Sequence, residues 1–116
     1  IWPNPVSVIL KLNEKYQELL QSETGAFRIP NHRFCKKLID ELKMPLVSTS
    51  VNRTGSEPLN DPSQIIQEFS NEVDTIFYSD KKSFFAASTL IDLNKSEPVL
   101  VREGKIKFVE LMKKLN

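Results

Sequence analysis

Apolar positions in this chain change their spacing several times, and each change marks an element. Val6 to Leu12 (V-S-V-I-L-K-L) is β-branched and aliphatic, with Ser7 and Lys11 partly alternating, which predicts a strand. Asn13 is a capping residue, and Tyr16, Leu19 and Leu20 share one helical face. A short helix to about Gln21 is therefore predicted, with a loop as the competing reading. Thr24 to Ile29 predicts a second strand, ended by Pro30. Asn31 is then the expected cap of the clearest helix, running to about Lys43. In it Phe34, Leu38 and Leu42 recur every four residues, and Cys35 and Ile39 widen the stripe until Pro45 stops it. Pro45-Leu46-Val47 predicts the start of a short buried strand. Asp61-Pro62 is a cap followed by proline at the first helical position, and Ile65, Ile66 and Phe69 give that helix a buried face. Asp74 to Tyr78 predicts a strand, and Ser79 to Ser83, with Lys81 and Lys82, an exposed connection. Ser88 to Leu93 and Pro98 to Val101 predict a hairpin around Asn94-Lys95-Ser96-Glu97. Phe108, Leu111, Met112 and Leu115 place a last helix. The sum is a mixed α/β sheet flanked by helices.

Length and composition narrow the reading only modestly. The 116 residues suffice for one domain at most, with a core that needs no staples. A formal net charge of +1 leaves no footprint of a strongly basic nucleic-acid binder. One cysteine, Cys35, excludes an internal disulfide and points to a reducing, cytoplasmic setting; with one histidine it also argues against a protein zinc site. No apolar run approaches the ~20 residues of a membrane span, so no membrane partner is expected. The opening Ile1-Trp2-Pro3-Asn4-Pro5 lacks the order of a signal peptide and reads as a chain that starts in the middle of something.

The densest candidate chemistry lies in Pro45 to Gly55 (P-L-V-S-T-S-V-N-R-T-G). Ser48, Thr49, Ser50, Asn52 and Thr54 supply small polar groups, Arg53 supplies charge, and a loop at a strand's carboxyl end suits a phosphate-bearing ligand. On this stretch alone an ordinary polar loop is the favoured reading. Three glycines in all, and no G-x-x-x-x-G-K-[ST], G-x-G-x-x-G or H-E-x-x-H, exclude a glycine-rich phosphate cradle. Arg28, Arg53 and Arg102 each fall near a predicted strand end, where a guanidinium fork suits carboxylate or phosphate. Strand order decides whether they converge. Ser88-Thr89 offers two hydroxyls to a small polar ligand or to a local turn. No histidine and acid stand ready to activate a serine, so no catalytic residue is assigned. His32 and Cys35 share a helix face without a third ligand, and Cys35 is the simpler core residue. Lys36-Lys37 with Asp40 and Glu41 is most simply a solvated face.

Five short motifs, in order, carry a resemblance across almost the whole chain. W-P-N-P-V-S-V-I-L resembles W-P-G-P-[L]-T, F-R-I-P-N-H resembles R-x-P-x-H, and S-T-S-V-N-R-T-G resembles S-A-N-x-S-G. A-S-T-L-I-D-L resembles S-T-[VI]-[VI]-D, and L-V-R-E-G resembles R-x-G. Together they are similar to the YrdC-type threonylcarbamoyl-AMP synthases. The resemblance implies a twisted α/β fold with mixed parallel and antiparallel strands. It implies an enzyme, a nucleotidyltransferase, that joins L-threonine, bicarbonate and ATP into threonylcarbamoyl-AMP with release of pyrophosphate. The product serves threonylcarbamoyl modification of adenosine in tRNA. Mg2+ would accompany ATP, tRNA would be an indirect or weak partner, and downstream tRNA-modifying proteins would take the product.

Carried over by motif, Arg28 pairs with the threonine carboxylate and Ser88 touches threonine. Ser50, Asn52 and Arg102 meet the nucleotide, with Thr24 a further nucleotide candidate. Arg53 is not fixed by the motif. Asn4, Ser7 and Val51 replace the family's glycine, threonine and alanine, modest changes to pocket shape. The family's amino-terminal K-x-R segment has no counterpart here, so residues 1–116 are expected to be the carboxyl-terminal portion of a single YrdC-like domain. A non-catalytic nucleotide- or RNA-binding module of the same fold is the alternative, and a purely structural fragment a third reading that leaves the ordered polar motifs unexplained.

Overall fold

The computed structural model describes residues 1–79 and 86–115, so the predicted connection through Lys81 and Lys82 lies outside the described residues. The chain divides into two compact units, Ile1–Pro45 with Ala86–Asn116, and Leu46–Phe85.

The first unit holds a four-stranded sheet in the order β2-β1-β3-β4. Its strands are β1 (Val6–Lys11), β2 (Thr24–Phe27), β3 (Thr89–Asp92) and β4 (Val99–Arg102). β1 pairs antiparallel with β2 and parallel with β3, and β3 pairs antiparallel with β4. The mixed sheet is thus the predicted class. Alternation along β1 and β3 turns Val6, Val8, Thr89 and Ile91 to one face. There Val6, Val8 and Ile91 meet Leu111 of helix α4 (Phe108–Leu115), with Ile1, Trp2, Leu93, Ile106, Phe108 and Met112 packed around them. The amino-terminal tryptophan is fixed by its indole Nε1, which donates to the Val6 carbonyl at 2.8 Å.

Helix α1 (Glu14–Leu20) connects β1 to β2 as the cap predicts: Asn13 Oδ1 accepts from Tyr16 N at 3.1 Å. The loop reading of this segment is wrong. Helix α2 (Arg33–Leu42) starts later than Asn31 would set. His32 stays extended and its carbonyl accepts from Lys36 N at 3.0 Å, while its ring lies 3.6 Å from the Cys35 thiol instead of on a backbone amide. The predicted stripe on α2 is not deeply covered: Phe34 and Leu42 are exposed, and Cys35, Leu38 and Ile39 half-buried. A helix stripe is buried only against an opposing layer, and Leu111 is the fully buried helical side chain among the described residues.

β2 stops at Phe27 rather than Ile29, three residues before Pro30, which has no amide to donate. The hairpin forms as predicted, with β4 one residue later because Pro98 cannot join the ladder.

In the second unit, helix α3 (Pro62–Phe69) begins at its predicted cap, Asp61 Oδ1 accepting from Ser63 N at 2.8 Å. Ile65 and Phe69 are half-buried, but Ile66 is exposed, so its predicted buried face is incomplete. Two predicted strands are absent. Residues 45–47 are irregular, with Val47 92% exposed, and residues 74–78 have no strand geometry. β-propensity measures fit against a neighbouring strand, and the ladders among the described residues are those of β1 to β4. The polar loop therefore does not leave a strand end.

Candidate functional site

Sheet register decides where the predicted site residues meet. Ser7 of β1 pairs with Leu90 of β3, and Leu90 pairs with Arg102 of β4. Paired residues share a face, so Ser7, Leu90 and Arg102 lie together on the side opposite the Val6–Ile91 core. Ser88, two residues before Leu90, lies on that side too. A register irregularity makes this possible. Ile91 pairs with Leu100 and Leu90 with Arg102, which leaves Val101 as the extra residue of a bulge. Without it, Arg102 would share the side of Leu100.

The contacts fit that register. Ser7 Oγ and Ser88 Oγ are 2.9 Å apart. Arg102 donates from Nε (3.2 Å) and Nη2 (3.1 Å) to the Ser88 carbonyl, and Nη2 lies 3.3 Å from Ser88 Oγ. Ser88 is 7% exposed, yet its hydroxyl and carbonyl are both partnered. Thr89, fully buried beside it, points its hydroxyl the other way: Oγ1 donates to the Ile106 carbonyl and accepts from Gly104 N at 3.0 Å. The two hydroxyls of Ser88-Thr89 thus separate, one toward the candidate site and one into the scaffold.

Arg28 directly follows Phe27, which pairs with Val8. Alternation assigns Arg28 to the face and level of Ser7. Arg28, one residue past the end of β2, and Arg102, the last residue of β4, therefore fall at the same end of the sheet on its two edges, three strand spacings or about 14 Å apart if the alternation of β2 is continued to Arg28. The hydroxyls of Ser7 and Ser88 lie between them. Two guanidinium groups flanking paired hydroxyls can receive a small molecule with a negative group at each end.

Thr24 is not brought to this cluster. It pairs with Lys11 at the far end of β2, four residues or about 13 Å from Arg28. Ser50 and Asn52 lie in the second unit and meet each other there, Ser50 Oγ donating to Asn52 Oδ1 at 2.6 Å. Asn52 Nδ2 in turn donates to the carbonyls of Arg53 (2.9 Å) and Ser56 (3.1 Å). Arg53, read from sequence as charge for an anion, is instead engaged by protein. It is bonded to Glu68 and doubly to Glu72, and lies 4.6 Å from the Phe69 ring centre. Its guanidinium holds the Glu72 carboxyl below the usual carboxylate range, chiefly by hydrogen bonding.

Sequence reasoning gave Ser7 no role beyond pocket shape. The available signal was a lone hydroxyl at an outward position within V-S-V-I-L. Among the described residues no group of three or more His, Cys, Asp or Glu gathers as a metal site, and no helix is long and apolar enough to cross a membrane.

A family model described as Telomere recombination, for the Sua5, YciO and YrdC proteins, matches residues 1–104. A threonylcarbamoyl-AMP synthase of Pyrococcus abyssi is 27% identical over 114 residues, 97% of this chain and 34% of that protein. One of Idiomarina loihiensis is 39% identical over 77 residues, 65% of this chain and 41% of that protein. The crystal structure of P. abyssi Sua5 complexed with L-threonine superposes with a TM-score of 0.86 at 27% identity, covering 97% of this chain and 34% of that one. The chain spans about a third to two-fifths of the length of these curated relatives. With the predicted motifs, the mixed sheet and a match over nearly its whole length, the chain belongs to the Sua5/YciO/YrdC family.

Proposed function

We propose that the full-length protein is a threonylcarbamoyl-AMP synthase, a nucleotidyltransferase acting on L-threonine, bicarbonate and ATP. The amine of threonine takes up bicarbonate with loss of water, giving a carbamate. A carbamate oxygen attacks the α-phosphorus of ATP, the bond to the β-phosphate oxygen breaks, and pyrophosphate leaves. The observation that supports the reading is the contact of Ser7, Ser88 and Arg102 at one end of the sheet, with Arg28 next after the β2 residue paired with Val8, in a chain of this family. The related proteins named threonylcarbamoyl-AMP synthase, and the L-threonine held by P. abyssi Sua5, support the substrate assignment.

In this proposal the Arg28 fork receives the threonine carboxylate, and the Ser88 hydroxyl, aligned by Ser7, meets threonine beside it. Arg102 meets the nucleotide; Ser50 and Asn52 of the second unit, and Thr24, which stands apart from the Arg28 end of β2, are nucleotide contacts that the family resemblance alone suggests. Mg2+ arrives on the phosphates of ATP, where hard oxygen ligands suit it. Rate enhancement comes from positioning and charge neutralisation, since no nucleophile or general base is assigned. The product would pass to tRNA-modifying proteins in the cytoplasm for transfer to adenosine in tRNA.

Pyrophosphate release by the full-length protein is the test. Release from ATP that requires threonine and bicarbonate together is expected. Absence of that release, alongside tight RNA binding, would overturn the enzyme in favour of a non-catalytic binding module.

A further inference from the structure

The second unit contains a polar network with a clear hierarchy. At its outer level Ser50 Oγ donates to Asn52 Oδ1, and the Asn52 amide spends both hydrogens on the carbonyls of Arg53 and Ser56. Leu59 N donates to the Val51 carbonyl at 2.8 Å and Ser56 N to the Arg53 carbonyl at 2.9 Å, closing the loop on itself, with Gly55 at a φ of 83° making the turn. At its inner level Arg53 fastens this closed loop to α3. Nε donates to Glu68 Oε1 at 3.1 Å, Nη1 donates to Glu72 Oε2 at 2.9 Å, and Nη2 donates to Glu72 Oε1. The guanidinium also lies over the Phe69 ring at 4.6 Å.

Exposed ion pairs usually contribute little, but a bidentate fork in a network of several charges is the exception, and stacking on an aromatic ring adds to it. Four contacts from one side chain, to Glu68 and Phe69 in the last turn of α3 and to Glu72 three residues beyond it, fix the loop's position on the end of α3. A guanidinium committed to two carboxylates is also a poor receiver of phosphate, because an anion would have to displace them.

We propose that Arg53 is a positioning residue: clamped by Glu68, Glu72 and Phe69, it holds the Ser50–Asn52 loop in the shape that receives the nucleotide. This rests on the proposed function for the loop's ligand, and it reverses the sequence expectation that Arg53 itself supplies charge to a phosphate. Its consequence is that two acidic residues, Glu68 on α3 and Glu72 just beyond it, support anion binding through the arginine they restrain.

The full-length protein, with Arg53→Gln, Glu72→Gln, the double variant and the exchanged pair Arg53→Glu with Glu72→Arg, tests this. KM for ATP, KM for threonine and kcat come from pyrophosphate release, and amide hydrogen exchange over residues 50–56 reports loop order. Each single variant is expected to raise KM for ATP about fivefold, with KM for threonine unchanged and exchange in the loop accelerated. The double variant should be no worse than either single one, since both remove the same clamp, and the exchanged pair should recover only part of the loss, because a carboxylate at position 53 faces Glu68 and leaves the Phe69 ring without its cation. If Glu72→Gln tightens ATP binding or leaves it unchanged while Arg53→Gln weakens it, Arg53 contacts the nucleotide directly and the proposal fails. Unchanged exchange in the loop overturns the clamp irrespective of activity. A wild-type protein without ATP binding or pyrophosphate release removes the proposed function instead, a separate result from the loop's exchange.

Discussion

Gly104 has no room for a side chain beside Ala87: a Cβ placed on it would lie 2.2 Å from the Ala87 carbonyl oxygen. The same atom would meet Ser88 C at 2.5 Å and Thr89 N at 2.6 Å, all backbone of the segment entering β3. Backbone in a paired strand cannot retreat as a flexible side-chain tip does. Gly104→Ala is therefore expected to destabilise the protein by ~3 kcal/mol, read as a lower denaturant midpoint at unchanged slope. A midpoint equal to wild type would mean the two segments are not pressed together. The glycine of L-V-R-E-G is thereby explained by close approach, two residues from the arginine that grips Ser88.

Thr89 locks the same contact from the other side. Its buried hydroxyl serves the Gly104 amide and the Ile106 carbonyl at once. Thr89→Val keeps the shape and strands both backbone groups, for a loss of ~2 kcal/mol. Thr89→Ser keeps the hydroxyl and gives up one methyl, so ~1 kcal/mol is expected. Equilibrium unfolding of both variants checks the order; a valine variant as stable as the serine one would refute the hydroxyl's role.

Much of this arrangement could be read from residues, and the failures have a common cause. Elements announced by local chemistry are where the sequence places them: Asn13 and Asp61 as caps, β1 from V-S-V-I-L-K, the hairpin around Asn94. Asn94 is held by its own neighbour, its amide N and Nδ2 donating to Asp92 Oδ1 at 2.8 and 2.7 Å. What failed depends on partners. Residues 45–47 and 74–78 have strand composition but no strand geometry, and the stripe on α2 has no deep cover.

The candidate site was half legible for the same reason. Arg28, Ser88 and Arg102 could be named individually, but their convergence depends on strand order and on one extra residue, Val101, that carries Arg102 to the Ser88 face. A bulge leaves no mark in V-L-V-R. Nor does the sequence reveal that Arg53 is restrained, because Glu68 and Glu72 lie fifteen and nineteen residues away on α3 and the residue just after Ser70-Asn71.

Arg102→Ala tests the proposed site directly. The variant keeps the core, since Arg102 lies on the face away from Val6 and Ile91, but loses the charge-assisted bonds at Ser88. Nucleotide affinity of the full-length protein is expected to fall by ~2 kcal/mol, about thirtyfold in Kd, with the fold retained and the thermal midpoint lowered by the loss of the Ser88 carbonyl's partner. Calorimetric titration with ATP measures it. Wild-type affinity in the variant would remove Arg102 from the site.

Glu103, next to that arginine, gives the protein a pH-dependent element. Its Oε1 accepts from Lys107 Nζ at 2.8 Å and its Oε2 from Phe108 N at 3.2 Å, so it covers an open amide at the start of α4. These bonds, the Lys107 ammonium first, hold the Glu103 carboxyl below its ordinary value of 4.5. A carboxyl with a lower pKa folded than unfolded stabilises the fold above its unfolded value. That contribution falls away as pH drops below 4.5 and through the lower folded value, where the carboxylate is protonated in both states. Because α4 supplies Leu111 to the core, loosening its first turn should register in global stability. Thermal midpoints of wild type and Glu103→Gln, followed from neutral pH into acid, should be furthest apart at neutral pH and converge below 4.5. A gap that stays constant across that range would mean the capping carboxylate contributes through shape alone.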